Sequence, residues 1–286
     1  MVKKLDQPNK LDELNMKCAP NAEFIDGSCI SLNLLVSMAI SYNKTNPSKL
    51  ISLYPKMHQS DYKKYLLSEF VKKIGPNQKE WAKSKYFESL NTDDKDKLEN
   101  KTFRPDGPQG QFDWLSTIDI NQVLYQYEDK YKDFKFLGAV PMDFAELDYL
   151  PFKTLNFKDL EDKYKRIGVI FNTDKSTQRG KHWISLFFDL EKGQIYFSDS
   201  VGIKPPEPVR LFIQKIEKYL KSKGLNVDSR YNKTEHQEKY TECGVYSVNF
   251  ILRLLKGKTF EHITSKKISD DKINQCRMVY FREIKK

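Results

Sequence analysis

The sequence contains few of the residues that build metal sites and disulfide networks. It has four cysteines and four histidines among its 286 residues, and no two cysteines follow the CxxC spacing. This composition indicates neither a zinc site nor a disulfide framework. The sequence also lacks an apolar run of membrane-spanning length and a recognisable signal peptide. We therefore expect a protein of a reducing, intracellular compartment that makes no contact with membranes.

Positive charge is in excess. Lysine and arginine total 49 against 39 acidic residues, a net charge of +10. This excess favours either attraction to nucleic acid or to an acidic partner, or a lysine-rich surface whose role is only solvation. The lysines are scattered and form no basic block, which favours the second interpretation and leaves non-specific DNA contact open. Aromatic residues make up 13% of the chain, which argues against disorder.

The clearest break in the chain is Phe103 to Gly110, FRPDGPQG, with two prolines and two glycines. Before it, apolar residues at helical spacing predict helices near residues 30–40, 61–71 and 78–90. After it, helical patterns mix with strand-like runs, including a predicted edge strand at 225–227. We predict a helical module over residues 1–103 and an α+β domain over residues 104–286.

A hairpin pattern places a histidine close to a carboxylate. His182 begins the strand-like run 183–188, residues 190–193 read as a turn, and residues 194–198 read as the returning strand, which ends at Asp199. An antiparallel pair brings its two open ends together. A carboxylate there can orient an imidazole and leave its second nitrogen free to act as a base.

Cys243 precedes Gly244 and the apolar run 245–252, which predicts a buried helix. A cysteine at a helix N-terminus meets unpaired backbone donors and the positive end of the dipole, which favour the thiolate. His182 nearby would lower the pKa of the thiol further. Gln237 could direct a side-chain N–H at a developing oxyanion, beside the backbone N–H of Cys243.

Other candidates fit this chemistry less well. His236 is close to Cys243 in the sequence but lacks a carboxylate partner on a strand. Asp189 also ends an apolar run, but it would lie near the hairpin turn and far from His182. We interpret Cys18 and Cys29 as structural or incidental rather than reactive.

These motifs together resemble the ubiquitin-like-protein-specific cysteine proteases, which include the SUMO proteases and the adenovirus maturation protease. The resemblance is carried by HW at 182–183, YFSDS at 196–200 and TECG at 241–244. It implies His182 as the base, Asp199 as its orienter, Gln237 as the oxyanion donor and Cys243 as the nucleophile. It also implies a papain-like or adenain-like core, in which a mixed sheet packs on the Cys243 helix.

The polyprotein-processing proteases of large DNA viruses, such as African swine fever virus, resemble this sequence more closely. Residues 172–183, NTDKSTQRGKHW, and the proline-rich residues 205–209 carry that similarity. The third triad position is an asparagine in those enzymes, whereas it is Asp199 here, as in the SUMO proteases.

The resemblance also implies a substrate-binding set. Trp183 would flank the cleft and restrict it to small side chains, and Trp114 would belong to an element that helps to bind substrate, although core packing is an alternative for both. Thr117 stands where the SUMO proteases have an aspartate in a W-L-x-D element, and Gly244 follows the nucleophile.

The function implied is cleavage of virion structural polyproteins or core proteins after small residues, in a Gly-Gly-X context. The mechanism requires no cofactor and no metal, and the partner is a protein or polyprotein substrate. One alternative is a protease that removes SUMO or another ubiquitin-like protein. Another is a non-catalytic, basic scaffold that binds nucleic acid. We expect the protein in the virion and the host cytoplasm.

Overall fold

The computed structural model describes residues 18–108, 110 and 112–282. Contacts divide the chain into two compact units, Met1–Pro105 and Asp106–Lys286. The sequence placed the division after Phe103, at the start of the same proline- and glycine-rich segment. We call these parts the N-terminal unit and the C-terminal unit.

The N-terminal unit is helical in its described residues. Its elements are α1 (Leu32–Thr45), α2 (Gln59–Lys73), 3₁₀ segments at Gln78–Lys83 and Lys85–Ser89, α3 (Thr92–Asp96) and a π turn at Lys97–Lys101. The predicted helix at 78–90 was wrong in type, because the chain there forms two 3₁₀ segments. Trp81 lies in the first of these segments; it is fully buried, stacks on Phe70 at 5.1 Å between ring centroids, and its indole N–H donates to the carbonyl of Gly75.

A disulfide joins Cys18 and Cys29, whose Cα atoms are 5.3 Å apart. The sequence did not predict this bond. Pairing depends on the distance between Cα atoms and the direction of the Cβ atoms, and neither can be read from an isolated pair of cysteines.

The C-terminal unit combines helices and strands. Its elements are α4 (Thr117–Lys130), β1 (Phe134–Val140), α5 (Phe157–Glu161), β2 (Arg166–Asn172), β3 (Trp183–Asp189), β4 (Gln194–Ser198), α6 (Glu207–Ser222), β5 (Asp228–Tyr231), α7 (Cys243–Leu255), α8 (Phe260–Thr264), α9 (Asp270–Asn274) and α10 (Arg277–Tyr280). The five strands form one sheet in the order β1-β2-β3-β4-β5. The β1–β2 and β4–β5 pairs are parallel and the two pairs between them are antiparallel, which confirms the predicted α+β fold with a mixed sheet.

Strand β3 is buried on both faces because a helix covers each side of the sheet. Trp183 and Phe187 point to the face that packs on α7, whereas Ile184, Leu186 and Phe188 belong to the core shared with α6. This alternation follows from the two-residue period of a strand. It also explains why the run looked continuously apolar in the sequence.

The turn between β3 and β4 is fixed by two local features. Asp189 Oδ1 accepts the backbone N–H groups of Glu191 and Lys192 at 3.0 and 2.8 Å. Gly193 has a φ of +67°, and a Cβ there would lie 2.8 Å from the carbonyl oxygen of Asn226. Asp189 is therefore a turn residue, and the open end of the hairpin lies at His182 and Asp199.

Candidate active site

The hairpin brings His182 and Asp199 into contact. The last residue pair of the hairpin is Ser185 with Ser198. Asp199 follows that pair directly, and His182 immediately precedes the first residue of β3. His182 Nε2 lies 2.7 Å from Asp199 Oδ1. Asp199 is 5% exposed. At such a buried position, a hydrogen bond between a carboxylate and an imidazole is stronger than in water.

Asn232 holds the backbone of Asp199. The N–H of Asp199 donates to Asn232 Oδ1 at 2.9 Å, and Asn232 Nδ2 donates to the carbonyl of Asp199 at 2.9 Å. Asn232 itself is 1% exposed. Sequence reasoning missed this residue, since its only signal was the Asn-Lys-Thr glycosylation pattern at 232–234.

A second asparagine shapes the loop before His182. Asn172 Oδ1 accepts the N–H groups of Asp174 and Lys181 at 2.9 and 3.2 Å. Across the base of the loop, the N–H of Thr173 donates to the carbonyl of His182. The loop is thus closed on itself, which limits the positions that the His182 backbone can take.

Cys243 is the first residue of α7 and is 1% exposed. The first hydrogen bond of the helix runs from the N–H of Tyr246 to the carbonyl of Glu242 at 2.9 Å. The N–H groups of residues 243–245 therefore lie in the first turn, where a helix provides no acceptor. These donors and the positive end of the dipole can bind an oxyanion.

The surroundings of His182 favour its charged form. Burial alone would lower its pKa, but hydrogen bonds to Asp199 and Cys243, together with the charges of both groups, raise the pKa of His182 from 6.5 to about 9. Since Nε2 faces Asp199, Nδ1 is the ring nitrogen left for the thiol. The arrangement supports a protonated imidazole beside the sulfur of Cys243, which is the pairing that a cysteine nucleophile needs.

Gln237 is tied to the residue that follows Asp199. Ser200 Oγ donates to Gln237 Oε1 at 2.6 Å, and the carbonyl of Ser200 accepts the backbone N–H groups of His236 and Gln237. One side-chain N–H of Gln237 donates to the carbonyl of Lys239 at 2.6 Å, which leaves its second N–H for an oxyanion. Sequence reasoning missed Ser200 as well.

The predicted substrate-binding residues lie in different environments. Trp183 is 5% exposed and its indole N–H donates to the carbonyl of Leu115 at 2.8 Å. Gly244 also lies against Leu115, because a Cβ on Gly244 would be 3.0 Å from Leu115 Cβ. Both residues therefore position Leu115, and most of the Trp183 ring packs in the core. Trp114 and Thr117 are exposed, and their contact with substrate stays a prediction.

His236 has a structural environment. It is 5% exposed, and its Nδ1 accepts the N–H of Ile268 at 3.1 Å. Burial, aided by the charges of Arg253 and Lys267, lowers the pKa of His236. A neutral imidazole with an occupied nitrogen agrees with the choice of His182 as the base.

Two buried charges flank the nucleophile and were not singled out from the sequence. Glu242 and Arg277 are 1% and 0% exposed. Arg277 Nε donates to Asn274 at 2.5 Å and Nη2 donates to the carbonyl of Thr241 at 3.2 Å. Burial lowers the pKa of Arg277, while the charges of Glu242 and Cys243 act in the opposite direction. Arg277 thus places a positive charge next to the backbone of Thr241, in the segment that leads into Cys243.

Within the part of the chain that the structure describes, no cluster of three or more histidine, cysteine or acidic side chains could hold a metal ion. The described helices also include none that is both long enough and apolar enough to span a membrane.

A protein family and several known proteins are similar to this chain. A family model described as the Ulp1 protease family, C-terminal catalytic domain, matches residues 151–286. A thiol protease of Acanthamoeba polyphaga mimivirus is 38% identical over 277 residues, which cover 90% of each chain. The SUMO-1 cysteine protease of an African swine fever virus isolate is 28% identical over 200 residues, covering 63% of this chain and 72% of that protein.

The fold also matches a solved structure. The crystal structure of the African swine fever virus pS273R protease superposes with a TM-score of 0.66 at 21% identity, covering 94% of this chain and 96% of that one.

Proposed function

Because this chain belongs to the Ulp1 protease family and is a cysteine-type peptidase, we propose that it cleaves viral structural polyproteins or core proteins after small residues, in a Gly-Gly-X context. The observation that carries the proposal is the hydrogen bond between His182 Nε2 and Asp199 Oδ1 at 2.7 Å. It is supported by the interaction with Cys243 that helps to raise the pKa of His182. We assign the roles of base, orienter and nucleophile to these three residues. The viral origin of the relatives supports a viral substrate.

Acylation follows from this arrangement. The Cys243 thiolate attacks the carbonyl carbon of the scissile bond, and the electron pair of the C=O bond moves to oxygen. Gln237 and the backbone N–H of Cys243 stabilise that oxyanion. As the intermediate collapses, the C–N bond breaks and His182 donates its proton to the leaving amine. The products are a free amine and a thioester on Cys243.

Deacylation reverses the proton flow. His182, now neutral, takes a proton from a water molecule that attacks the thioester carbonyl. Collapse of the second intermediate breaks the C–S bond, releases the acid product and regenerates the thiolate. Asp199 keeps Nε2 of the imidazole engaged throughout, so that Nδ1 remains directed at the reacting atoms.

A second candidate is the removal of SUMO or another ubiquitin-like protein. It shares the chemistry, and it is favoured by the name SUMO-1 cysteine protease that some of the African swine fever virus relatives carry. The two functions differ in substrate: one cleaves a linear chain, while the other cleaves an isopeptide bond to a lysine.

Labelling with a Gly-Gly peptide that ends in an electrophile tests the proposed nucleophile. We expect one adduct on the wild type, none on Cys243→Ala, and full labelling of Cys276→Ala, which removes the other free cysteine among the described residues. An adduct that persists on Cys243→Ala would remove the nucleophile assignment.

The two substrate classes are separated by incubating the enzyme in parallel with Gly-Gly-X peptides, virion core precursors and SUMO conjugates. The proposal expects cleavage of the peptides and precursors. Efficient deconjugation without cleavage of peptides or precursors would refute it in favour of the second candidate.

We further propose that the enzyme acts in the virion and the host cytoplasm, and that its net charge of +10 permits non-specific contact with DNA. Such contact would weaken steeply with added salt. A non-catalytic scaffold would show the same salt-sensitive binding but no labelling of Cys243.

A further inference from the structure

A cavity of about 580 Å³ opens beside the His182–Asp199 pair. Its volume is in the usual range for a ligand pocket. His182 and Asp199 both line it, and the segment from Val201 to Arg210 supplies most of the remaining wall. Among the described residues Cys243 is not part of this wall, so the cavity lies on the imidazole side of the nucleophile.

A second segment near the nucleophile carries Leu115. Leu115 packs against Gly244, and its carbonyl accepts the indole N–H of Trp183. Leu115 itself is 2% exposed, so the exposed Trp114 beside it is the residue of this segment that a substrate crossing Cys243 can contact, in addition to the cavity.

The chemistry of acylation decides which part of the substrate lies at the cavity. The acyl part becomes attached to Cys243. The amine that leaves must receive its proton from His182, so the residues that follow the cleaved bond have to pass the imidazole. We infer that the cavity binds these residues and selects acidic side chains among them, an inference that rests on the proposed peptidase function.

The charges around the cavity support this choice. Lys204 and Arg210 line it together with Glu207. Glu207 approaches Arg210 at 3.4 Å, but their side chains are 74% and 50% exposed, and such a pair is weakened by water. The first residues of α6 also line the cavity, which adds the positive end of a helix dipole.

The negative charge of Asp199 does not cancel this attraction, because Asp199 Oδ1 is already held by His182 at 2.7 Å and by the N–H of Val201 at 3.0 Å. A substrate carboxylate could form charge-assisted hydrogen bonds to Lys204 and Arg210.

The rest of the wall is apolar. Ile184, Val201 and Ile203 contribute hydrocarbon surface, against which the methylene groups of a glutamate side chain can pack. Glutamate in the leaving segment therefore fits the cavity better than glutamine, which lacks the charge, or lysine, which has the opposite charge.

The test uses three Gly-Gly-Ala peptides that differ only in the two residues after the alanine, which are both glutamate, both glutamine or both lysine. We expect kcat/KM of the wild type to be about fivefold to tenfold higher for the glutamate peptide than for the lysine peptide, as two partly exposed charge contacts would give. This ratio should shrink as salt is added, because exposed charges are screened.

The decisive variant reverses the two positive charges of the cavity wall, those of Lys204 and Arg210. In Lys204→Glu/Arg210→Glu the order should invert, so that the lysine peptide is cleaved faster. The matched control is Lys215→Glu, an exposed lysine on the same helix that does not line the cavity, and it should keep the wild-type order. The ratio between peptides does not depend on how much enzyme is folded, so a folding defect cannot imitate the inversion.

Equal cleavage of the three peptides by the wild type, or an unchanged order in the double variant, would overturn the acidic subsite while leaving the peptidase assignment intact. If no peptide is cleaved and the Gly-Gly electrophile does not label Cys243, the proposed function fails and the subsite fails with it.

Discussion

At the scale of single residues, the charge of His182 is set by its neighbours rather than by its exposure. Burial opposes a charged imidazole, yet Asp199 and Cys243 together raise the pKa of His182 to about 9. The proton that the leaving amine needs is consequently present at neutral pH, before any substrate binds. Removing either neighbour should change the pH range in which the enzyme works.

We predict that kcat/KM falls as pH rises through about 9, because a neutral His182 cannot protonate the leaving amine. In Asp199→Asn this basic limb should move to lower pH, since the hydrogen bond and the charge that raise the pKa are weakened. Pre-steady-state assays with a Gly-Gly-X peptide measure the acylation step. A basic limb that stays in place in Asp199→Asn would contradict the assigned cause.

The same pKa shift makes a prediction about stability. Because the folded pKa lies above the unfolded value, the protonated His182 adds stability that is complete below pH 6.5 and is lost as pH rises through about 9. The difference in unfolding free energy between wild type and His182→Gln should therefore decrease over that interval. Urea titrations at several pH values measure it, and a difference that grows with pH would show that the sign is wrong.

Asn232 holds the backbone of the residue that carries this carboxylate. Asn232→Ala leaves the buried N–H and carbonyl of Asp199 without their side-chain partners, which should cost roughly 1–3 kcal/mol of unfolding free energy. It should also release Asp199 and reduce kcat. Asn226→Ala, at an exposed position, is the matched control and should change neither quantity. If the two variants have equal unfolding free energies and equal kcat values, Asn232 does not have this role.

These residues show where sequence reasoning reached its limit. The hairpin and the Cys243 helix were predicted because strand and helix periodicities are local. Asn232 bonds to Asp199 across 33 positions and Ser200 bonds to Gln237 across 37, and no local pattern marks such a pairing. The family and the α+β fold are confirmed, whereas the catalytic roles stay predictions until the labelling experiment is done.

At the scale of elements, the segment before the nucleophile is held by the first residue of α9. Asp270 is 5% exposed, and its Oδ2 accepts the N–H groups of Glu238 and Lys239 at 3.0 and 2.8 Å. The backbone carbonyl of Lys239 in turn accepts a side-chain N–H of Gln237 at 2.6 Å. A short helix that is distant in the sequence thus fixes the predicted oxyanion donor.

We predict that Asp270→Ala lowers kcat about tenfold to a hundredfold with a smaller effect on KM, because misplacing an oxyanion donor affects the transition state most. Asp271→Ala is the control, since Asp271 lies in the same helix with its side chain 79% exposed and contacts Lys239 only through an ion pair at the surface, which contributes little. Asp270→Asn should restore part of kcat, because its amide oxygen can still accept both N–H groups. A loss confined to KM would instead indicate a role in substrate binding.

Element boundaries were predicted less well than element types. The edge strand was expected at 225–227, but β5 spans Asp228–Tyr231. Hydrogen bonds between polar side chains stabilise this strand. The hydroxyl of Tyr196 donates to the carboxylate of Asp228, and Arg230 donates to the same carboxylate. A strand stabilised by polar side chains has no apolar alternation to reveal it.

At the scale of the whole molecule, the Cys18–Cys29 bond sets the N-terminal unit apart. Disulfides persist in oxidising compartments and are rare in the cytosol, whereas the site in the C-terminal unit needs a reduced Cys243. The N-terminal unit therefore needs oxidising conditions to keep its disulfide, and the C-terminal unit needs reducing conditions to keep Cys243 free. An enzyme that acts in both the virion and the host cytoplasm, as proposed, has to meet both requirements.

We predict that Cys29→Ser reduces the stability of the N-terminal unit by about 2–3 kcal/mol, the loop-closure entropy of a short disulfide loop. Hydrogen exchange of the amides in α1 and α2 measures this. Wild type in reductant should match the variant in protection. If reductant leaves the exchange of these helices unchanged, the bond contributes no stability.

The hydrogen bonds at Ser200 have a consequence for how such an enzyme can diversify. The chain departs from the site at Ser200 and returns within hydrogen-bond distance at His236 and Gln237, so the stretch from 201 to 235 is an excursion tied at its base. That excursion holds Lys204, Arg210 and most of the cavity wall. Val201 and Asn232, near its two ends, hold Asp199. Mutation and length change in the part between them, outside β5, can retune which substrates are accepted, while the reacting groups keep their places.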